Sequence, residues 1–306
     1  MELKKLINIV KLGRLIPHSA FIVYVLGALF ALNAGATFNI YKFVFGYSIV
    51  FTSVLSAVYN NNYNDVNVDK YSKSTLFSGG SKVLVNHPEL LKIVKRTAFS
   101  FLILSLLLAF LFMIIYSYPI TFFLIVLIGN ILAWFYTTPP IKLIYRGLGE
   151  IATMIGAGFL IPGLGYFVVM GKIDFLFFLF AIPFILYGFA IALNLAIPDF
   201  KADRKGNKKT LIVRRGTDFG FTLSLLLSSL PTLSFILLTQ LKFNVGIINF
   251  WFIVFISILP LSFCVYGFIK NNFNKKLIEK LAIRNLISIF LFIIMINAYF
   301  FLLILY

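Results

Sequence analysis

The sequence predicts an all-α, polytopic membrane protein built as one bundle of nine transmembrane helices. Hydrophobic residues make up 61% of the 306-residue chain and charged residues only 12%, and the mean hydropathy is +0.99. A soluble domain carries about twice this charged fraction. Apolar runs of about 20 residues, the length that crosses the hydrocarbon core, recur along the whole chain. The basic residues are also distributed unevenly between the intervening loops.

The first half of the chain contains four of the predicted spans. They lie near residues 17–35, 41–60, 97–116 and 118–137. The third and fourth are separated only by residues 116–119, Tyr-Ser-Tyr-Pro, which we interpret as a tight turn. Because proline is tolerated within membrane helices, a kink is the alternative. The basic residues before the first run are also typical of a signal peptide, but we expect this run to be kept as a span.

The second half contains the other five spans. They lie near residues 148–169, 174–197, 218–239, 247–268 and 285–305. The fifth and sixth are separated by residues 171–174, Gly-Lys-Ile-Asp, where a kink is again the alternative to a turn. No long linker divides the chain, so we expect residues 1–306 to form a single transmembrane domain.

The basic residues predict the orientation of this bundle. Of the 27 Lys and Arg residues, 24 lie in the N-terminal segment and the even-numbered loops, and 3 lie on the other side. By the positive-inside rule, the N-terminus is cytoplasmic and the C-terminus is outside. The formal net charge of +17 is therefore placed on one membrane face, where it meets anionic lipid headgroups. We expect no binding to nucleic acid, because no soluble basic domain is present.

Carboxylates are rare in this chain, and four of the ten acidic residues fall into two clusters. Asp65 and Asp69 follow Asn61 at intervals of four residues, at the end of the second span. Asp199 and Asp203 have the same spacing at the end of the sixth. Residues four apart lie on one face of a helix, so each cluster is predicted to form an oxygen-rich ridge. Both ridges are on the predicted cytoplasmic side.

The chemistry of these ridges predicts a magnesium site. Mg²⁺ binds carboxylate and amide oxygens, keeps several waters and prefers a phosphate as a further ligand. The two loops that carry the clusters are also the most basic ones, which suits a diphosphate. An alternative is a transporter that uses the acids as a cation site. Transporters, however, hold such residues near the membrane midplane, whereas these acids lie at the ends of the spans.

The two acidic motifs resemble those of the UbiA superfamily of intramembrane prenyltransferases. That family's first motif is usually N-D-x-x-D-x-x-x-D, and residues 61–69 match it except at Asn62, where the family has aspartate. The second motif, D-x-x-x-D, matches residues 199–203. Arg14 and Pro17 are similar to the family's entry to its first helix. Segments 78–84 and 136–150 are similar to the menaquinone-type branch, whose acceptor is 1,4-dihydroxy-2-naphthoate.

The resemblance implies an enzyme and assigns roles to individual residues. It implies Mg²⁺-dependent transfer of a polyprenyl group from a prenyl diphosphate to a lipophilic aromatic acceptor. The metal ligands would be Asn61, Asp65, Asp69, Asp199 and Asp203. The residues in contact with the diphosphate would be Arg14, Asn61, Lys142 and Lys209, and Tyr136 would lie near the reacting carbon. We expect a multi-pass protein of the cell membrane, with its active site on the cytoplasmic side and no obligate protein partner.

The acceptor end of the reaction is less defined. A 1,4-dihydroxy-2-naphthoate-like acceptor is favoured by the two loop segments, and geranylgeranylglyceryl phosphate, a hydroxybenzoate or haem are alternatives. The aromatic-rich composition suits a water-free cavity that stabilises a carbocation. No residue is predicted as the general base; a carboxylate or the released diphosphate would take the proton. Arg146 and Glu150 are expected to pair and fix their loop.

Overall fold

The computed structural model describes residues 2–13, 16–72, 80–240, 245, 247–273 and 277–305. These residues form helices and turns and no strand, as the sequence predicts. The longer helices are α1 Glu2–Leu12, α2 Ile16–Asn33, α3 Ile40–Asn64, α4 Leu91–Ile115, α5 Ile120–Trp134, α6 Gly149–Met170, α7 Phe175–Lys205, α8 Thr217–Gln240, α9 Phe250–Phe273 and α10 Ile278–Leu305. Shorter helical segments in the loops include Val66–Asp69, Val83–Asn86, Leu143–Arg146 and Leu211–Arg215.

Helices α2 to α10 lie where the membrane spans are predicted. Within the described part of the chain, α3, α4 and α6 to α10 contain seven segments that are long and apolar enough to cross a membrane. The apolar part of α2, His18–Asn33, and helix α5 are shorter. The chain is therefore an all-helical protein with several candidate spans, and the count of nine spans with its orientation stays a prediction.

Both of the short breaks between predicted spans are turns. Helix α4 ends at Ile115 and α5 begins after Pro119, so the chain reverses there. Helix α6 ends at Met170 and is capped by Gly171, whose φ of 82° lies in the left-handed region that glycine adopts without strain. Asp174 then caps α7, because its side chain accepts a hydrogen bond from the Phe177 amide.

The spacing predicted that the first acidic cluster forms one continuous helical ridge. The structure shows instead that the helix is interrupted at Asp65. Helix α3 ends at Asn64, and Asp65 has φ −95° and ψ 7°, outside the helical region. A separate short helix, Val66–Asp69, follows. Asparagine and aspartate weaken a helix because their side chains compete for its backbone groups, and the end of α3 is rich in asparagine. The second cluster lies within the unbroken α7, as predicted.

Glycines allow α2, α6 and α7 to pack closely. A side chain on Gly27 of α2 would collide with the Pro162 carbonyl of α6, and one on Gly165 of α6 would collide with the Tyr24 carbonyl of α2. Gly158 of α6 lies in the same way against the backbone of α7. Small residues let membrane helices approach one another in this manner. Helix α6 also contains a π-helical turn over Gly156–Leu160.

Candidate active site

The two acidic clusters line a single polar cavity of about 230 Å³ at the ends of α3 and α7. All five predicted metal ligands contribute to its wall: Asn61, Asp65, Asp69, Asp199 and Asp203. The clusters are at least 130 residues apart in sequence. Their convergence confirms that the two helix ends face each other.

Lys208 lies between the two clusters and joins them. Its ammonium is 2.9 Å from the Asp65 carboxylate and 3.2 Å from that of Asp203. The side chain is only 10% exposed. Burial opposes its charge, but the two carboxylates outweigh this effect and raise the pKa of Lys208 above its ordinary value. The site therefore already holds a cation between the clusters.

Two loop residues orient the oxygens of the first cluster. The Tyr145 hydroxyl donates to the other oxygen of the Asp65 carboxylate at 3.1 Å, and the buried Thr137 hydroxyl donates to the Asn61 side-chain oxygen at 2.8 Å. Burial, reinforced by the charge of Asp65, raises the pKa of Tyr145. Both residues come from the loop between α5 and α6, so this loop forms part of the site.

The loop after the first cluster folds back over Asp69. A side chain on Gly80, which has φ +58°, would collide with the Asp69 carboxylate. The neighbouring Ser81 hydroxyl donates to the Asn62 side-chain oxygen at 3.2 Å, and the Asn62 amide donates to the Val58 carbonyl at 2.7 Å. Asn62 thus connects this loop to α3, and it also lines the cavity.

Glu150 is part of the same cavity wall and is only 3% exposed. The prediction that Glu150 pairs with Arg146 is wrong. Arg146 donates to the Pro140 carbonyl at 3.0 Å, whereas one oxygen of Glu150 accepts the Leu211 amide at 2.6 Å. The loop is therefore held by backbone groups on both sides, and Glu150 forms part of the buried cavity wall.

An apolar cavity of about 330 Å³ adjoins the polar one. The two share five wall residues: Val58, Asn61, Tyr136, Thr153 and Leu195. Burial raises the pKa of Tyr136 to about 12, an effect that the charge of Lys208 partly offsets, so this hydroxyl stays protonated near neutral pH. Tyr136 is the only aromatic residue among the described residues that line the apolar cavity. The aromatic-rich composition of the chain is therefore not reflected in the lining of this region.

The phenylalanines pack into the helix core instead. The rings of Phe30 and Phe180 stack at 3.7 Å between centroids, and Phe184 and Phe292 belong to the same core cluster. Aliphatic and small side chains form most of the described wall of the apolar cavity. A bulky ring fills the volume that a long ligand needs, so composition alone does not indicate which residues line a cavity.

The residues predicted to contact the diphosphate differ in how close they lie to the polar cavity. The Lys142 ammonium lies 5.2 Å over the Tyr145 ring, next to the site but outside the cavity wall. Lys209 is exposed, and Lys208 takes the position in the cavity. Arg14 lies outside the described residues.

The donor set suits Mg²⁺, although no described group of three or more Asp, Glu, His or Cys side chains could hold a metal ion by itself. The cluster side chains offer carboxylate and amide oxygens, which Mg²⁺ prefers, and Mg²⁺ completes its shell with waters and phosphate oxygens. The Lys208 ammonium already bridges Asp65 and Asp203, so these side chains favour a cation between them.

These features define an integral membrane protein with an acid-lined cavity that adjoins an apolar one. The chain belongs to the UbiA prenyltransferase family, whose model matches residues 20–286. It is 28% identical over 155 residues to the 1,4-dihydroxy-2-naphthoate octaprenyltransferase of Bacillus subtilis strain 168. That match covers 51% of this chain and spans about half, 49%, of the curated relative.

Solved structures share the fold. A UbiA homologue from Archaeoglobus fulgidus, bound to GPP and Mg²⁺, matches 97% of this chain and 100% of its own with a TM-score of 0.66 and 18% identity. A digeranylgeranylglyceryl phosphate synthase structure matches 96% of this chain and 98% of its own, with a TM-score of 0.66 and 17% identity. An apo UbiA homologue from Aeropyrum pernix K1 matches 90% of this chain and 97% of its own, with a TM-score of 0.62 and 14% identity.

Proposed function

We propose that this protein transfers a polyprenyl group from a prenyl diphosphate to a lipophilic aromatic acceptor, in a reaction that requires Mg²⁺. The observation that carries the proposal is the adjoining pair of cavities. The polar one suits a diphosphate with its metal, and the apolar one suits an isoprenoid chain. The Archaeoglobus homologue, which binds GPP and Mg²⁺, supports the same ligand classes here.

In this proposal the two clusters hold the metal. The ligands are Asn61, Asp65, Asp69, Asp199 and Asp203. When bound, Mg²⁺ neutralises negative charge that develops on the departing diphosphate. Lys208 sits inside the cavity, so its ammonium is positioned to bind a diphosphate oxygen. Lys142, Lys209 and Arg14 would supply further phosphate contacts as the substrate binds.

Residues at the junction of the cavities would act on the reacting carbon. Tyr136 lines both cavities, so a substrate that spans them brings its allylic carbon past this ring. A tyrosine face stabilises a nearby cation. The aliphatic wall of the apolar cavity excludes water, which would otherwise intercept the carbocation.

We propose a 1,4-dihydroxy-2-naphthoate-like quinone precursor as the acceptor. The Bacillus relative and the resemblance of segments 78–84 and 136–150 to that branch support it. Geranylgeranylglyceryl phosphate, a hydroxybenzoate and haem are the alternative acceptors. The similarity to a digeranylgeranylglyceryl phosphate synthase structure is the reason to include geranylgeranylglyceryl phosphate in the assay.

We further propose that residues 1–306 form one domain with nine spans in the cell membrane. The N-terminus and the active site would face the cytoplasm and the C-terminus the outside. The asymmetry of 24 basic residues against 3 supports this orientation. We propose no obligate protein partner, because both acidic clusters and the apolar cavity come from one chain.

The test is an assay of the purified protein in detergent with Mg²⁺, a radiolabelled prenyl diphosphate and the four acceptors. We expect a prenylated product with the naphthoate acceptor and its loss in Asp65→Ala and Asp199→Ala. The matched control is Asp218→Asn, outside the cavity, which keeps an oxygen for the Asn271 amide. Activity that survives in both alanine variants would contradict the proposal. Product with another acceptor would keep the reaction and change the substrate.

A further inference from the structure

Glu150 carries a buried carboxylate oxygen without a partner. One oxygen accepts the Leu211 amide at 2.6 Å, and the other, Oε2, has no hydrogen-bond partner among the described residues. The residue is 3% exposed and lines the polar cavity. A buried polar group without a partner costs about 1–3 kcal/mol, and a charged one more. Such a group in a cavity wall suggests that a ligand supplies the missing hydrogen bond.

Glu150 is also close to the junction of the two cavities. Thr153, which lines both, follows it by three residues on α6, so the two side chains share a helix face about 4.5 Å apart along the axis. Tyr136 lines both cavities at the same junction. The diphosphate end and the isoprenoid end of a bound substrate would meet there.

Three other groups in the cavity wall are less suited to accept a proton. The Asp65 and Asp203 carboxylates are bound to Lys208. The Tyr136 hydroxyl, with a pKa of about 12, is protonated near neutral pH and is therefore a donor. Glu150 lines the cavity and its buried Oε2 has no hydrogen-bond partner among the described residues. The closest arginine in sequence, Arg146, donates to the Pro140 carbonyl instead.

We propose that Glu150 is the proton acceptor of the transfer reaction and binds the phenolic hydroxyl of the acceptor through Oε2. This inference rests on the proposed function. It names the residue that positions the acceptor and the atom that receives its proton.

The allylic C–O bond breaks and its electron pair leaves with the diphosphate. A ring carbon of the acceptor gives a π pair to the allylic carbon and forms the new C–C bond. The phenolic O–H bond breaks, its proton moves to Glu150 Oε2, and its electron pair forms the C=O bond of a dienone. The ring proton at the alkylated carbon is then lost to solvent, and Glu150 returns its proton to the oxygen, which restores the phenol and the free carboxylate.

The decisive variant is Glu150→Gln, because glutamine keeps an oxygen for the Leu211 amide and removes the basic group. Two products are measured in one assay: the prenylated acceptor and the prenol formed when water captures the cation. General base catalysis contributes about 10²–10⁴-fold. We therefore expect at least a hundredfold loss of prenylated acceptor, with a much smaller loss of Mg²⁺-dependent diphosphate release, so that the ratio of prenol to prenylated acceptor rises.

Chemical rescue tests the same assignment independently. In Glu150→Ala the missing carboxylate leaves space in the cavity wall, and added formate is expected to restore part of the prenylation. Glu279→Gln, at an exposed position at the start of α10, is the matched control and is expected to behave as wild type.

Each other result overturns the inference. Prenylation at the wild-type rate in Glu150→Gln would mean that the released diphosphate or solvent takes the proton. A parallel loss of both products, without formate rescue, would mean that Glu150 only holds the Leu211 segment or the metal. If wild type itself forms no prenylated acceptor, the proposed function fails, and the inference falls with it.

Discussion

Lys208 explains how two acidic clusters remain side by side in an apolar protein. Without a cation, Asp65 and Asp203 would place two like charges in a largely buried cavity, where their repulsion is weakly screened. The ammonium at 2.9 and 3.2 Å neutralises part of that charge. A metal with its diphosphate would change this balance, because it adds both positive and negative charge to the same space. Lys208 then becomes available for the diphosphate.

Removal of Lys208 should therefore destabilise the metal-free protein. Loss of one partner from a buried ion pair costs on the order of 3 kcal/mol. In Lys208→Met we expect a lower unfolding temperature in detergent without Mg²⁺, and a larger rise on addition of Mg²⁺ than wild type shows. Lys209→Met, at the exposed neighbouring position, is the control and should unfold as wild type does. Equal unfolding temperatures for both variants would refute this role.

Lys208, and not the predicted Lys209, enters the cavity, and residue spacing alone does not indicate which of the two does so. The two acidic clusters could be predicted, because a spacing of four residues is visible in the sequence. The lysine could not, because its direction is set by the turn after α7. Asn207 has φ 59°, and the Lys208 amide returns to the Asp203 carbonyl at 3.0 Å. This turn sends the Lys208 side chain into the cavity and leaves Lys209 exposed.

Helix α6 connects the site to the rest of the bundle. It begins beside the polar cavity at Glu150, passes along the apolar cavity through its π-helical turn, and then packs against α2 through glycines. The close approach of α2 to α6 therefore supports the wall of the cavity.

A side chain at the contact between α2 and α6 should force these helices apart. Gly27→Val places atoms on the Pro162 carbonyl, and overpacking of this kind costs about 1–3 kcal/mol or more. We expect a clearly lower unfolding temperature in detergent. Gly129→Ala is the control, because its added carbon would meet Leu160 at an ordinary 3.6 Å and no other helix of the described part of the chain. Equal stability of the two variants would argue against this packing.

The π-helical turn offers a direct way to shorten the apolar cavity. Gly156 lines that cavity, and a carbon added there has no heavy atom within 4 Å among the described residues beyond its own stretch of helix. Gly156→Leu is therefore expected to fill part of the 330 Å³ without disturbing the fold. We predict a shift in kcat/KM toward shorter prenyl diphosphates, with Gly156→Ala intermediate. An unchanged preference across chain lengths would show that the isoprenoid chain lies elsewhere.

The helices themselves were more predictable than their ends. Hydropathy located α2 to α10, and proline or glycine marked both short turns. The interruption of α3 at Asp65 was missed, because a pattern of residues four apart fits a continuous helix and a broken one equally well. The break depends on competition between backbone and side-chain hydrogen bonds, which a periodic pattern does not reveal.

The distribution of basic residues gives the whole protein its predicted orientation. Cys264 is the only cysteine and is buried, so a cysteine-free background needs one substitution, Cys264→Ser. In that background Lys172→Cys should react with a membrane-impermeant thiol reagent in intact cells. Arg215→Cys should react only after the membrane is opened. The reverse labelling pattern would show that the topology is inverted. Labelling of both sites in intact cells would contradict the single span, α7, predicted between them.

Composition established the class of the protein but not the lining of its cavity. A chain this apolar must cross a membrane, and its two acidic clusters must find counter-charges. Which side chains border the cavity depends instead on the packing of distant segments. The 37 phenylalanines suited an aromatic pocket, yet Tyr136 is the only aromatic residue in the described lining of the apolar cavity. The contacts of Tyr145, Thr137 and Glu150 likewise arise only when the loop after α5 folds over α3 and α7.

The site as a whole is best tested by Mg²⁺-dependent binding of geranyl diphosphate to the purified protein. The measurement compares wild type with Asp65→Asn and Asp199→Asn, one change in each cluster, and with Asp218→Asn as the control. Binding is predicted to require Mg²⁺ in wild type and the control, and to weaken at least a hundredfold in each cluster variant. Equal binding in all four proteins, or binding that ignores Mg²⁺, would contradict a metal-diphosphate site between α3 and α7.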